Sequence, residues 1–438
     1  MDVCSGAIHV VDDVTYDVIA LYEEKSLEEI ENELSYSKED IEEAYKEVTS
    51  LKEEGLLFTE DIYEDYIKEV KSRKTVVKAL CLHIAHDCNL ACRYCFAEEG
   101  EYKGHRELMS AKVGKAALDF LVANSGNRHN LEVDFFGGEP TMNFGVVKEV
   151  VEYGRSLEEK HNKHFRFTLT TNGVLLNDEI MEFCNREMSN VVLSLDGRPE
   201  VNDRMRPTVN GKGSYDVIVP KFQQLVSQRG TKDYYVRGTF TRENLDFADD
   251  VEHLASLGFR HVSVEPASGP LDDPFAIKEG DLPAVEAEYE KLARQLQGRK
   301  DVNFFHFYVD LEQGPCVIKR MRGCGAGNEY VAITPEGDIY PCHQFVGNDA
   351  FKMGNLYDGS FHTDIADQFG GVNIYTKEAC RKCWAKFYCS GGCSASNFNV
   401  NGDIMQPSEV ACELERKRLE CAIAMSAIRS GLAEPEGE

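Results

Sequence analysis

Apolar positions divide the chain into three stretches with different periods. In the first, residues 1–72, the spacing is that of short amphipathic helices. SGAIHVVDD reads as a turn, a short alternating strand and a second turn, and Val14–Glu23 follows with helical spacing. Ser26–Leu34 predicts a second helix, with Ser26 as N-cap and Glu29 three residues on. Ser37–Glu54 predicts a third, with Ile41, Ala44, Val48 and Leu51 on one face and Gly55 as its stop. LLFTED reads as a short wing strand, and Tyr63–Lys74 as a charged helical connector.

From Lys78 the pattern changes to strands alternating with helices. KALCLHI (78–84), EVDFFGG (132–138), RFTLTTNG (166–173), VVLSLDG (191–197), YYVRGTFT (234–241) and HVSVEPA (261–267) are short apolar runs. Most lead into a helix-like stretch such as Ala111–Asn124 or Asp246–Leu257. This alternation predicts an α/β fold of parallel units over residues 73–310, an incomplete (β/α)6 barrel of TIM-like type. Functional residues then gather at the C-terminal ends of the strands. In the third stretch, residues 311–425, regularity fades and glycine and cysteine dominate from Cys316 to Cys412. A helix is expected over Cys412–Arg429, with an acidic tail in residues 426–438.

Composition narrows the chemistry. The formal charge of −28 opposes binding to phosphate backbones, so nucleic acid is not an expected partner. No apolar run approaches the ~18–20 residues that span a bilayer. The N-terminus lacks a basic region followed by an apolar one, so a cytoplasmic, reducing location is expected. Fifteen cysteines in such a compartment read as metal or cluster ligands before disulfides.

Cys88, Cys92 and Cys95 stand as C-x3-C-x2-C just after the first strand. Three thiolates on one loop can hold three irons of a [4Fe–4S] cube whose usual complement is four ligands, leaving one iron open. GGEP (Gly137, Gly138, Glu139), TTNG (Thr171, Asn172) and SLDG (Ser194, Asp196) end the next three strands. This order resembles the radical SAM superfamily, including Tyr94 before the last cysteine. The resemblance implies that S-adenosylmethionine (SAM) chelates the open iron and is cleaved to a 5′-deoxyadenosyl radical. It implies that Glu139 accepts from the SAM ammonium. Thr171, Asn172, Ser194 and Asp196 would meet the ribose or carboxylate, and Arg206 and Arg237 would pair with the carboxylate.

The C-terminal cysteines are Cys316, Cys324, Cys342, Cys380, Cys383, Cys389, Cys393 and Cys412. Their spacing resembles the SPASM extension of radical SAM enzymes, which carries two auxiliary [4Fe–4S] clusters. The resemblance assigns Cys316, Cys324, Cys342 and Cys393 to one cluster and Cys380, Cys383, Cys389 and Cys412 to the other. The three clusters call for a low-potential electron donor of flavodoxin or ferredoxin type. Cys4, Cys81, Cys184 and Cys421 remain, and buried packing is expected of them.

The first stretch resembles the winged-helix-like element that binds precursor peptides through their leaders as an added strand. The strings GCGAGNEYVAITPEGDIYPCHQFVG and SLDGRPEVNDRMRPTVNGKGSYD resemble the maturases of small cysteine-rich SCIFF peptides. That family links a cysteine sulfur to the α-carbon of another residue. A different crosslink, a cluster-bearing electron carrier, and an anaerobic sulfatase maturase making formylglycine are the alternatives. In the last family aspartate typically follows YPC as base; here His343 follows Cys342 and is the candidate base.

Overall fold

The computed structural model describes residues 1–72, 76–104, 106–267, 269–270, 272–309, 317–359, 361 and 363–433. Cys316 and the last five residues of the acidic tail lie outside the described residues.

Six strands pair in chain order and all in parallel: β1 (Ala79–His86), β2 (Asn130–Gly137), β3 (His164–Thr171), β4 (Asn190–Ser194), β5 (Asp233–Phe240) and β6 (His261–Pro266). They match the six expected strands. Alternate residues take opposite faces. Leu80, Leu82, Val133, Phe135, Phe165, Phe167, Leu169, Val191, Leu193, Val236, Val262 and Val264 form the outer, fully buried core under the helices. Each such side chain contributes ~1.5–3 kcal/mol of burial. The inner face carries Cys81, His83, Asp134, Phe136, Ser194, Arg237 and Glu265 instead.

The third stretch departs from expectation. Tyr330–Ile333 pairs in parallel with β1, from Ala79↔Tyr330 to Leu82↔Ile333, and Asp338–Tyr340 and Gly354–Asn355 continue the sheet antiparallel. The cysteine-rich segment is thus joined to the open edge of the barrel. The terminal helix begins earlier than expected, at Glu409, capped by Ser408, and runs to Arg429.

At the N-terminus α1 (Asp13–Leu21), α2 (Leu27–Glu33), α3 (Lys38–Glu53) and α4 (Tyr63–Ser72) match the expected helices. Val18, Ile30, Ile41, Ala44 and Val48 close a separate small core. Glu29 accepts from the Ser26 amide at 2.8 Å, as the capping box requires. The two expected strands are absent: SGAIHVVDD and LLFTED form no ladder. Asp2 accounts for this. Its carboxylate accepts from the Ser5 amide (2.8 Å) and the Thr59 amide (3.1 Å), tying both segments through a side chain instead of a backbone ladder.

Past Thr59 the chain docks on the cysteine-rich segment. Tyr63 and Ile67 pack with Met321, Ile374 and Phe387. Asp61 accepts from Lys386 Nζ at 2.6 Å and from the Tyr375 hydroxyl at 2.8 Å. Lys386 is buried, so losing Asp61 leaves a cation without its counter-charge. Asp61→Ala is expected to cost ~1–3 kcal/mol, with Asp61→Asn intermediate, read as a lowered melting temperature of the cluster-loaded protein. Unchanged melting in both variants would contradict this docking.

Candidate iron–sulfur and cosubstrate site

The loop after β1 is held from below. The Ala91 and Arg93 amides donate to the Pro207 (2.8 Å) and Met205 (2.9 Å) carbonyls. Tyr94 donates its hydroxyl to Asp196 Oδ2 (2.8 Å) and accepts from Arg206 Nη1 (2.9 Å). Asp196 also accepts from the Thr239 amide at 3.0 Å and is fully buried. Burial pushes its carboxyl up to about 6, against the pull of Arg206 and Tyr94. Tyr94 is therefore a structural pin between the two cluster-loop cysteines that flank it.

At the end of β2 the backbone passes very close to the cysteine loop. Gly137 has φ +121°, and a Cβ there would stand 2.4 Å from the Ala85 carbonyl oxygen. A Cβ on Gly138 would stand 2.1 Å from the Asp87 carbonyl oxygen. Only glycine permits either approach. Glu139 follows, buried at 1% exposure. Its Oε1 accepts from the Thr141 amide (3.0 Å) and the Thr171 hydroxyl (2.8 Å), and its Oε2 from the Asn172 amide (2.7 Å). Burial raises its pKa, opposed by these donors.

These elements line an open pocket, whose wall includes Cys88, Cys92, Cys95, Gly138, Glu139, Thr171, Asn172, Ser194 and Arg206. Two expected residues are placed elsewhere. Asp196 is spent on Tyr94 and Thr239, behind the wall. Arg237 sits one strand beyond Ser194, paired with Glu265, and does not line the cavity. Burial pushes the Cys88 and Cys92 thiols up to about 12 and about 11.

The C-terminal cysteines fall into two sets. Burial pushes Cys342 up to about 12, and Cys393 and Cys324 lie near enough to add to the shift. Cys380 and Cys412 are likewise raised by burial to about 11; Cys389 and Cys383 act on the first, Cys380 and Cys383 on the second. Cys324, Cys342 and Cys393 are thus neighbours, and Cys380, Cys383, Cys389 and Cys412 are neighbours of one another. Among the described residues no three His, Cys, Asp or Glu side chains stand at single-ion spacing. Ligands of a cube bind separate irons, so they stand farther apart. Cys81, Cys184 and Cys421 are buried as expected, and Cys4 is half-buried.

Sequence reasoning missed three participants. Lys377, 2% exposed, donates to the Gly391 carbonyl at 2.7 Å and lies near Cys380, Cys389, Cys393 and Cys412, a cation between the two sets. Phe96 and Phe136 line the cavity and also pack on His343, with ring centroids 5.5 and 5.0 Å away. Burial, then Arg237, lowers the His343 imidazole to about 4.

Residues 77–220 match the family model of the 4Fe-4S single cluster domain, and residues 324–384 that of SPASM, an iron-sulfur cluster-binding domain. Mycofactocin maturase MftC of Mycolicibacterium smegmatis is 30% identical over 335 residues, which cover 73% of this chain and 79% of that protein. The chain belongs to the radical SAM/SPASM family of maturases. The radical SAM/SPASM fold is also that of native anSMEcpe with bound AdoMet, at TM-score 0.67 and 18% identity over 81% of this chain and 100% of the other. Streptococcus suis SuiB bound to precursor peptide SuiA superposes at TM-score 0.56 and 19% identity, covering 91% of this chain and 88% of SuiB.

The radical SAM cofactors, SAM and [4Fe–4S] clusters, fit the residues present. Three thiols converge on one cavity wall. Arg206 Nε is a buried donor with no protein partner. Glu139 Oε2 takes one donor in the protein and retains capacity for an ammonium. Cys88→Ala in anaerobically reconstituted protein is expected to remove about four irons per chain and SAM binding with them. Glu139→Gln is expected to keep the iron and weaken SAM about tenfold or more, measured by equilibrium dialysis. Full iron content in Cys88→Ala would contradict the loop's role as a cluster ligand.

Proposed function

We propose that this enzyme forms a thioether, cysteine sulfur to α-carbon, within a ribosomally made cysteine-rich precursor peptide. One adjacency carries the reading. His343, beside Cys342, packs against Phe96 and Phe136, two residues that line the cosubstrate cavity. The first auxiliary cysteine set therefore stands behind the cavity's lining, with the His343, Phe96 and Phe136 rings between them. A substrate thiol held near Cys342 and an acceptor residue facing the cavity would meet as neighbours, which is largely a proximity problem.

Bound at the cluster and reduced there, SAM supplies the 5′-deoxyadenosyl radical that removes the acceptor's α-hydrogen. Cys88, Cys92 and Cys95 hold the cluster, Glu139 takes the SAM ammonium, and Arg206 takes its carboxylate. Thr171, Asn172 and Ser194 complete the pocket wall. Binding at the first auxiliary cluster would lower the substrate thiol's pKa, and His343 would then take its proton. The clusters that Cys324, Cys342, Cys393, Cys380, Cys383, Cys389 and Cys412 would hold would accept the excess electron as the sulfur–carbon bond forms and pass it toward a flavodoxin- or ferredoxin-type carrier. The N-terminal helices hold the leader. The acidic charge favours a basic leader.

The test is anaerobic incubation of reconstituted enzyme with SAM, dithionite and a synthetic SCIFF-type cysteine-rich peptide. The expected result is deoxyadenosine with loss of ~2 Da per crosslink and one fewer alkylatable thiol. Loss of the sulfur atom would mark formylglycine instead. Deoxyadenosine with an unaltered peptide would defeat the reading.

A further inference from the structure

The inner face of the barrel opposite the cysteine loop carries a built polar rung. Tyr234, Val236 and Phe240 of β5 face the outer core, so Arg237 faces inward; Val262 and Val264 of β6 do the same for Ser263 and Glu265. Arg237 pairs with Glu265. Glu265 is fixed from behind by a directed chain. Arg418 Nη1 donates to His306 Nδ1 at 3.3 Å, and His306 is buried and held neutral, its pKa lowered to about 3. Its other nitrogen then carries the proton and donates to Ser263 Oγ at 3.1 Å. The Ser263 hydroxyl donates to Glu265 Oε1 at 3.4 Å.

Arg237 nevertheless remains open. Its side chain is 47% exposed, and only Nη2 has a protein partner among the described residues. Its charge reaches His343, and Ser194, its register partner on β4, lines the cosubstrate cavity. The guanidinium therefore stands between the cavity and the last barrel strand. Glu265 already balances its charge, so the rung suits a neutral ligand with a carbonyl acceptor better than an anion.

We propose that Arg237, positioned by Glu265, Ser263 and His306, binds a main-chain carbonyl of the substrate peptide beside the acceptor residue. This rests on the peptide reading above, and it makes Arg237 a peptide ligand instead of a SAM carboxylate ligand. A neutral amide is held by the remaining guanidinium donors, and the peptide is thereby laid along the inner wall toward the cavity.

The experiment measures anaerobic binding of a fluorescently labelled, synthetic SCIFF-type peptide and of SAM to cluster-loaded wild type, Arg237→Ala and Arg237→Lys. Expected is about tenfold weaker peptide binding in Arg237→Ala, partial recovery in Arg237→Lys, and SAM affinity within about twofold of wild type. Iron content and melting temperature identify any variant that misfolds, and Arg237→Lys then carries the comparison. Weaker SAM binding with unaltered peptide binding overturns the proposal, as does unaltered peptide binding in both variants. Wild type that binds the peptide and never links it defeats the crosslinking reading alone. Wild type that does not bind the peptide overturns both.

Discussion

A cube held by one loop of three thiolates leaves a corner for a small molecule only if the loop cannot relax to offer a fourth ligand. The backbone around Cys88, Cys92 and Cys95 meets that constraint by being pinned on every side. Main-chain bonds run to Met205 and Pro207, Tyr94 is fixed between Asp196 and Arg206, and two glycines let β2 close on the loop from above. Removing the Tyr94 hydroxyl would leave a buried carboxylate and a buried guanidinium short of a partner, each a larger loss than one hydrogen bond made in water. Asp196 thus holds the loop through Tyr94.

The rest of the molecule is arranged around that fixed loop. Tyr330–Ile333 extends the sheet on the edge of β1, the strand that delivers the loop. The hairpin that follows carries Cys342 and His343, and the His343 ring packs against Phe96 and Phe136 of the cavity lining. On the other side, α4 and Asp61 bind the N-terminal helices to Lys386, within the run from Cys380 to Cys389. The N-terminal helices, the C-terminal cysteine-rich segment and the cosubstrate cavity are therefore joined by a chain of direct contacts.

Much of this was legible in the sequence because it is written in short-range patterns. Six apolar runs named six strands, Ser26 and Glu29 named a cap, and the order of CxxxCxxC, GGEP, TTNG and SLDG named one face of the sheet. The misses have physical causes. YVAITPEGDIY is a strand, a turn and a strand, but its pairing with β1 spans some 250 residues of chain, and local spacing cannot encode a partner that distant. Asp2 captures backbone donors that alternation assigned to a ladder. Arg237 carries the same side chain as Arg206, but it stands on β5 beside Glu265 of β6, whereas Arg206 follows the helix after β4 and lines the cavity. Lys377 reads as an ordinary surface lysine until the fold surrounds it with cysteines.

The central claim is that the loop at Cys88, Cys92 and Cys95 holds a cluster with an open iron that SAM binds. Electron paramagnetic resonance of anaerobic, dithionite-reduced protein, recorded before and after adding SAM, tests it most directly. The expected result is a change in one cluster's signal on adding SAM, absent when Cys88, Cys92 and Cys95 are all replaced by alanine. A spectrum indifferent to SAM, or zinc in place of iron at that loop, would contradict it.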